Sequence, residues 1–343
     1  MRAISAVESV SIAVQRTREF LFRPFKWGTY LKLGLVAIIT EGTGNTFNSS
    51  SHGGHQPGHG PHFHSPFPLA AELIAAIFAL ALVAIIAFFV FYLITRLRFA
   101  FFHCLIRNTK EIRPGWWIYR EPAVRFFWLN VVVGFCFLLL VVLIALPFIG
   151  GFLRLFHESH QDGHFDVGLL LSLVLPLIPI ILLLVLACLV ADLILRDWML
   201  PHFALDNASA GDAWTQVWAH IMAEKKQFFV YALLRVALPL VAMAGLFMVL
   251  IIPGLALAGS LAAIEYGLHS AFADSTGASA VVGVLVQVFF VLIALGLALL
   301  ASICLGGPLS TGIREYALIF YGGRYQALGD ILYPPPPVSA FDR

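Results

Sequence analysis

Five unbroken apolar stretches, at residues 69–95, 127–150, 168–195, 228–252 and 278–306, limit what this chain can fold into. A helix crossing a hydrocarbon core of roughly 30 Å needs about 20 such residues, and each stretch is longer than that. A sixth run, residues 27–40, is shorter and would rise only about 21 Å as a helix. With 60% hydrophobic and 12% charged residues, the 343-residue chain cannot cover a soluble core with polar surface. The expected fold is therefore all-α: a polytopic transmembrane bundle of about six spans, with further helices lying at the cytoplasmic interface.

The distribution of positive charge supports this order. Of the 21 Lys and Arg residues, eighteen fall before run one, between two and three, between four and five, or after run six. The three alternate loops hold only Arg154, while Lys32 and Arg235 lie inside runs. Because cytoplasmic loops concentrate Lys and Arg, both termini are expected in the cytoplasm. All seven tryptophans, Trp27, Trp116, Trp117, Trp128, Trp198, Trp214 and Trp218, also fall on or beside that side. Indole rings favour the headgroup level, so this interface should be lined with protein. A net charge of +2 gives no reason to expect a nucleic-acid partner; the bilayer and a membrane protein partner are the expected ones.

Periodicity marks helices in that lining. Trp214, Val217, Trp218, Ile221 and Met222 share one helical face, and Ser209 with Asp212 has capping-box spacing. Such a helix either lies in the interface or packs on the ends of the spans. At the start of the chain, Ser5 with Glu8 repeats the capping spacing, and Val7, Val10, Val14 and Leu21 form a sparser stripe. Trp116, Trp117 and Tyr119 hold the equivalent place between runs two and three. Surface segment, outward run and returning run thus recur at about 100 residues, as 1–98, 99–196 and 197–310. Simple alternation of apolar hairpins would give much the same pattern. One membrane domain spans 1–330, and the tail 331–343, with Pro334 to Pro337, is expected to be disordered. The first 26 residues predict no removable signal peptide.

Histidine is the main candidate for chemistry. His52, His55, His59, His62 and His64 fall in a Gly/Ser/Pro-rich outer loop, 41–68, and His157, His160 and His164 fall in the next. Imidazole binds Zn or Cu, and Glu158, Asp162 and Asp166 add oxygen donors. A solvated low-complexity loop accounts for the first cluster equally, since flexible ligands hold no fixed tetrahedron. A charge inside a span costs about 2.5–3.5 kcal/mol on insertion scales. Asp192 and Arg235, both near inner ends, are expected to pair as a structural ion pair across their spans. Lys32, Asn130, Glu72 and Gln287 are the other polar residues in runs. Cys104, Cys136, Cys188 and Cys304 have no CxxC spacing and read as buried small apolar residues. No GxSxG, P-loop, HExxH or dinucleotide fingerprint is present, so no catalytic residue is assigned. Asp197, His202, Asp206 and Asp212 read as turn, cap or interface residues.

The segment from Asp192 through Arg196, Asp197, Pro201, Ala213 and Trp214 to Phe228, Phe229 and Tyr231, with Arg23 to Leu35, resembles uncharacterised bacterial six-span membrane proteins. Some of these are similar to the membrane domain associated with glycerophosphodiester phosphodiesterases. The resemblance implies an integral inner-membrane protein, without the catalytic barrel of those enzymes and without catalytic residues to carry over. Three function classes follow: a scaffold or accessory component binding lipid or partner proteins; as runner-up, a transporter or binder of a small solute or divalent metal; and, third, an intramembrane enzyme.

Overall fold

The computed structural model describes residues 4–42, 69–162, 167–272 and 278–333, and within them all regular structure is helical. Eleven α-helices occur: α1 Glu8–Phe22, α2 Trp27–Gly42, α3 Leu69–Arg107, α4 Ile112–Ile118, α5 Arg120–Asp162, α6 Val167–Leu193, α7 Leu200–Leu205, α8 Ala210–Ala223, α9 Lys225–Phe272, α10 Ala278–Gly322 and α11 Gln326–Leu332. A π-helical stretch, Ile194–Met199, joins α6 to α7 without a break. Among these, α3, α5, α6 with α7, α9 and α10 are long and apolar enough to cross a membrane. Their most apolar stretches are almost wholly uncovered by protein. Ile77, Phe78, Leu143, Leu182, Val241 and Phe289 all point outward. An exposed apolar surface of this extent is far beyond what a water-soluble monomer carries, and it is what lipid covers.

The 27–40 run, first in chain order, behaves differently. It forms α2, whose 16 residues rise only about 24 Å. This helix is packed rather than exposed, with Leu33, Val36, Ala37 and Thr40 buried. Gly34 permits that contact: a Cβ on the facing Gly307 would lie 2.7 Å from Gly34 Cα. Pro308 follows within α10, where the helix has already lost a backbone donor.

Packing is concentrated at one end of the bundle, called here the basic end. Phe99, Phe102 and Leu105 of α3 meet Tyr119 and Phe126, Leu200 and Phe203, Tyr231, and Tyr316, Phe320 and Tyr321 in one buried cluster. Edge-on ring pairs such as Phe99 with Phe126 and Trp198 with Phe228 fill it. The two ends of the described chain meet there, since Arg324 Nη1 donates to the Ile4 carbonyl.

The short helices at this end correct part of the sequence reading. α8 begins as expected, with the Asp212 amide donating to Ser209 Oγ at 3.2 Å. Its face divides: Ala213 and Val217 are buried, while Trp214, Trp218 and Met222 remain more than two-fifths exposed. α1 buries only part of the expected stripe: Leu21 is buried and Val10 packs on the core. Ser9, Ala13, Thr17 and Phe20 face the protein, whereas Val7 and Val14 point out. Small residues allow α1 to approach α10 closely beside Gly312, and this contact outweighs burying two valines. Trp198 lies in the core instead of at the interface, and Cys136 and Cys188 lie on the exposed apolar surface, leaving only Cys104 fully buried.

Candidate functional site

Charged residues converge where the compact basic end meets the exposed spans. Asp197, on the π-helical stretch, has no exposed surface. It accepts hydrogen bonds from the Tyr231 hydroxyl at 2.7 Å, Arg235 Nε at 2.9 Å and Arg314 Nη1 at 3.1 Å. Arg235 Nη2 also reaches Glu41 Oε2 at 3.2 Å, and Arg314 Nε lies 3.8 Å from Glu41 Oε1. Four elements, α2, the π stretch, α9 and α10, are thereby tied together. The π stretch matters locally because its wider hydrogen-bond spacing breaks the α phase, placing Arg196, Asp197, Trp198 and Met199 in the interior in succession.

α2 ends in this cluster. Its last carbonyls have no intrahelical donors and carry the negative end of the helix dipole. Arg98 Nε and Arg196 Nη2 both donate to the Thr40 carbonyl, at 3.1 and 2.8 Å. Each buried carboxylate therefore faces arginine, and each arginine faces a carboxylate or a helix C-terminus. Removing water from such charges is costly, and only this degree of mutual satisfaction makes their burial tolerable.

The expected pairing of Asp192 with Arg235 is replaced by two others. Asp192 bonds Arg196, one helical turn on, at 3.0 Å and keeps half of its side chain exposed. Arg235 goes to Asp197 and Glu41. Sequence reasoning gave Asp197 a turn or interface role and counted Glu41 as the first residue of the outer loop; both are centres of the buried network. The available signal was the approach of Asp197 and Arg235 to the same interface from consecutive runs, which Asp192 offered equally.

The histidine candidates are distributed otherwise. His52, His55, His59, His62, His64 and His164 lie outside the described residues, and so does loop 43–68. His157 and His160 fall within the last turns of α5. Among the described residues, no group of three His, Cys, Asp or Glu side chains is arranged to hold a metal ion.

A model for a family of unknown function (DUF7544) matches residues 4–331. The chain belongs to that family. Since the family is described only by its unknown function, membership brings no catalytic residue and no ligand with it. No curated protein and no solved structure matches the chain.

A second polar group lies deeper in the basic end of this family member. His202 Nε2 and the Tyr321 hydroxyl are 2.6 Å apart, and the His202 ring lies against Tyr325. The Tyr325 hydroxyl donates to Asp206. Burial, then that bond and the Asp206 charge, hold the Tyr325 phenol above its ordinary range, so it stays a neutral donor. Nearby, Arg324 donates to Glu224 at 2.7 Å and stacks on Phe320. Hydrogen bonds to backbone carbonyls anchor this end further, as with Arg16 to Leu105 and His220 to Arg324.

Grooves flank α6. One, of about 780 Å³, is almost wholly apolar and runs past Leu129, Leu186 and Ile194 to Trp214 of α8. The other, of about 610 Å³, lies between α3, α5 and α6 and has a polar floor. Neither contains an acid and base beside a nucleophile. The ion pairs of the site tie α2, the π stretch, α9 and α10 into one register.

Proposed function

We propose that this protein is a scaffold or accessory component of a bacterial inner membrane, binding lipid or a partner protein at its basic end, which faces the cytoplasm. One observation carries the reading: at that end three of the short helices, α1, α4 and α8, each turn apolar side chains outward beside positive ones. On α1 these are Val14 and Phe22 with Arg18, Val7 standing just before its first turn, and on α4 Trp117 and Ile118 with Arg113. On α8 they are Trp214, Trp218 and Met222, followed by Lys225 and Lys226. Apolar groups at headgroup depth next to Lys and Arg suit the anionic surface of a cytoplasmic leaflet. The tripled order of short helix, outward helix and returning helix supports a threefold build for this surface.

Transport of a solute or divalent metal is the competing reading. It calls for acidic groups left available near mid-membrane, whereas Asp197 and Glu41 are both held by arginines. A thermal-shift panel in detergent separates the two. The scaffold reading expects stabilisation by anionic phospholipid and none by Zn²⁺ or Cu²⁺. Saturable stabilisation by metal, with metal uptake into liposomes containing the protein, would replace it with the transport reading.

A further inference from the structure

We infer that the groove between α3, α5 and α6 is a binding site for one membrane phospholipid, with an acyl chain along its walls and the phosphodiester on Arg98 and Arg196. The inference rests on the lipid-binding reading above and gives it a location. The walls are Val83, Ile86, Val90 and Ile94 of α3, and the floor is Arg98, Asn130, Asp192 and Arg196. From Val83 to Arg98 the groove follows α3 for about 22 Å, longer than the roughly 15 Å half-thickness of a hydrocarbon core. Its volume of about 610 Å³ is within the range of about 300–1,000 Å³ usual for a small-molecule site.

The floor sits at the depth of a headgroup. Trp128 is more than half exposed on α5, and its ring meets Phe88 of α3, which places the aromatic boundary there. Arg98 follows along α3 on the polar side of that contact, with Arg196 beside it at the polar end of the groove. Both arginines are buried, and both are fixed by the Thr40 carbonyl, so their guanidinium groups are held in place before any ligand arrives. Arg196 Nε is buried without a hydrogen-bond partner. Guanidinium groups suit phosphate oxygens, which accept two parallel bonds. Asp192 and Asn130 complete the floor. Asp192 Oδ2 is taken by Arg196 Nη1, and Asn130 Nδ2 by the Phe126 carbonyl, so neither competes as a free donor or as an unpaired charge. Counting the carboxylates that stand behind the floor, four arginines (Arg98, Arg196, Arg235 and Arg314) face three acids (Asp192, Asp197 and Glu41), so the cluster keeps a net positive charge, complementary to a phosphodiester. With lipid reaching the groove from the side, no opening of the bundle is required.

Native mass spectrometry of the full chain in detergent, titrated with dioleoyl phosphatidylglycerol, dioleoyl glycerol or inorganic phosphate, tests the site. A one-lipid adduct is expected with the phospholipid and with neither control. Ala87→Phe fills the groove without touching the charge cluster and should weaken that adduct at least ten-fold. Arg196→Gln should do the same if it folds; Ala87→Phe keeps the test valid if it does not. An unchanged adduct in Ala87→Phe, or equal binding of dioleoyl glycerol, overturns the site. If thermal stabilisation by phosphatidylglycerol persists in that case, the broader lipid-binding reading stands. If wild-type protein is not stabilised at all, that reading fails as well.

Discussion

Arg235 Nε lies 2.9 Å from Asp197 Oδ2, on a carboxylate with no exposed surface that also receives Tyr231 and Arg314. Removing one member of a buried pair leaves its partner charged and unsolvated, which typically costs about 3–5 kcal/mol. Asp197→Ala and Arg235→Ala should each lower the melting temperature in detergent by an amount in keeping with that loss. The double variant should lose clearly less than both single losses combined, because the two residues share one interaction. Asp192→Ala should cost about 1 kcal/mol or less, its side chain being half exposed.

The approach of α2 to α10 gives a steric test. Alanine at position 307 would bring a Cβ to 2.7 Å from Gly34 Cα, against backbone that cannot swing aside. Gly307→Ala is expected to destabilise by about 1–3 kcal/mol, the usual cost of overpacking. Gly296→Ala, whose Cβ meets nothing within 4 Å, should show no such loss in the same thermal scan.

For α8, the cap and the exposed face are separable. Ser209→Ala removes the acceptor for the Asp212 amide and should cost about 1 kcal/mol of stability. Replacing Trp214 and Trp218 with serine should change stability in detergent little, since both are more than two-fifths exposed. That double variant should, however, reduce the stabilisation gained from anionic lipid vesicles.

Tyr325 gives a pH signature. Burial and Asp206 raise its folded-state pKa above the ordinary value near 10. Its contribution is therefore fully present below about pH 10 and declines as pH rises beyond, when the unfolded chain ionises first. Tyr325→Phe should be less stable than wild type at pH 8, and the gap should narrow steadily above pH 10. A gap that is flat across that range would show the hydroxyl to be irrelevant.

Apolar run length made the all-α fold with membrane-length helices legible, because that signal is local and each long run repeats it. The Ser209 cap was legible for the same reason. The charge network was not. Asp192 and Asp197 lie five residues apart in one basic-flanked segment, and an α-helical phase gives no ground for choosing Asp197. Glu41 stands at the border of a Gly/Ser-rich stretch, so composition assigned it to the loop, while its position is set by Arg235 and Arg314, far away in sequence. On α1, hydrophobicity correctly marks Val10 and Leu21, but size decides the rest of the face: Ala13 and Thr17 are buried where Val7 and Val14 are not.

The π stretch at Ile194–Met199 also sets a tolerance for chain length. In a π turn each amide reaches back one residue further than in an α turn, so the segment accommodates residues that a regular helix would have to expel or rotate away. Asp197 and His202 consequently occupy separate angular frames on what looks like one continuous rod. A single deletion within 194–199 would let the rod close to uniform α geometry and turn everything beyond it by roughly a quarter of a revolution. His202 would leave Tyr321, and α8 with its tryptophans would be carried around the bundle. Among members of the family, a one-residue gap at this point should therefore accompany a coordinated change of partners at both levels, readable from chain lengths alone.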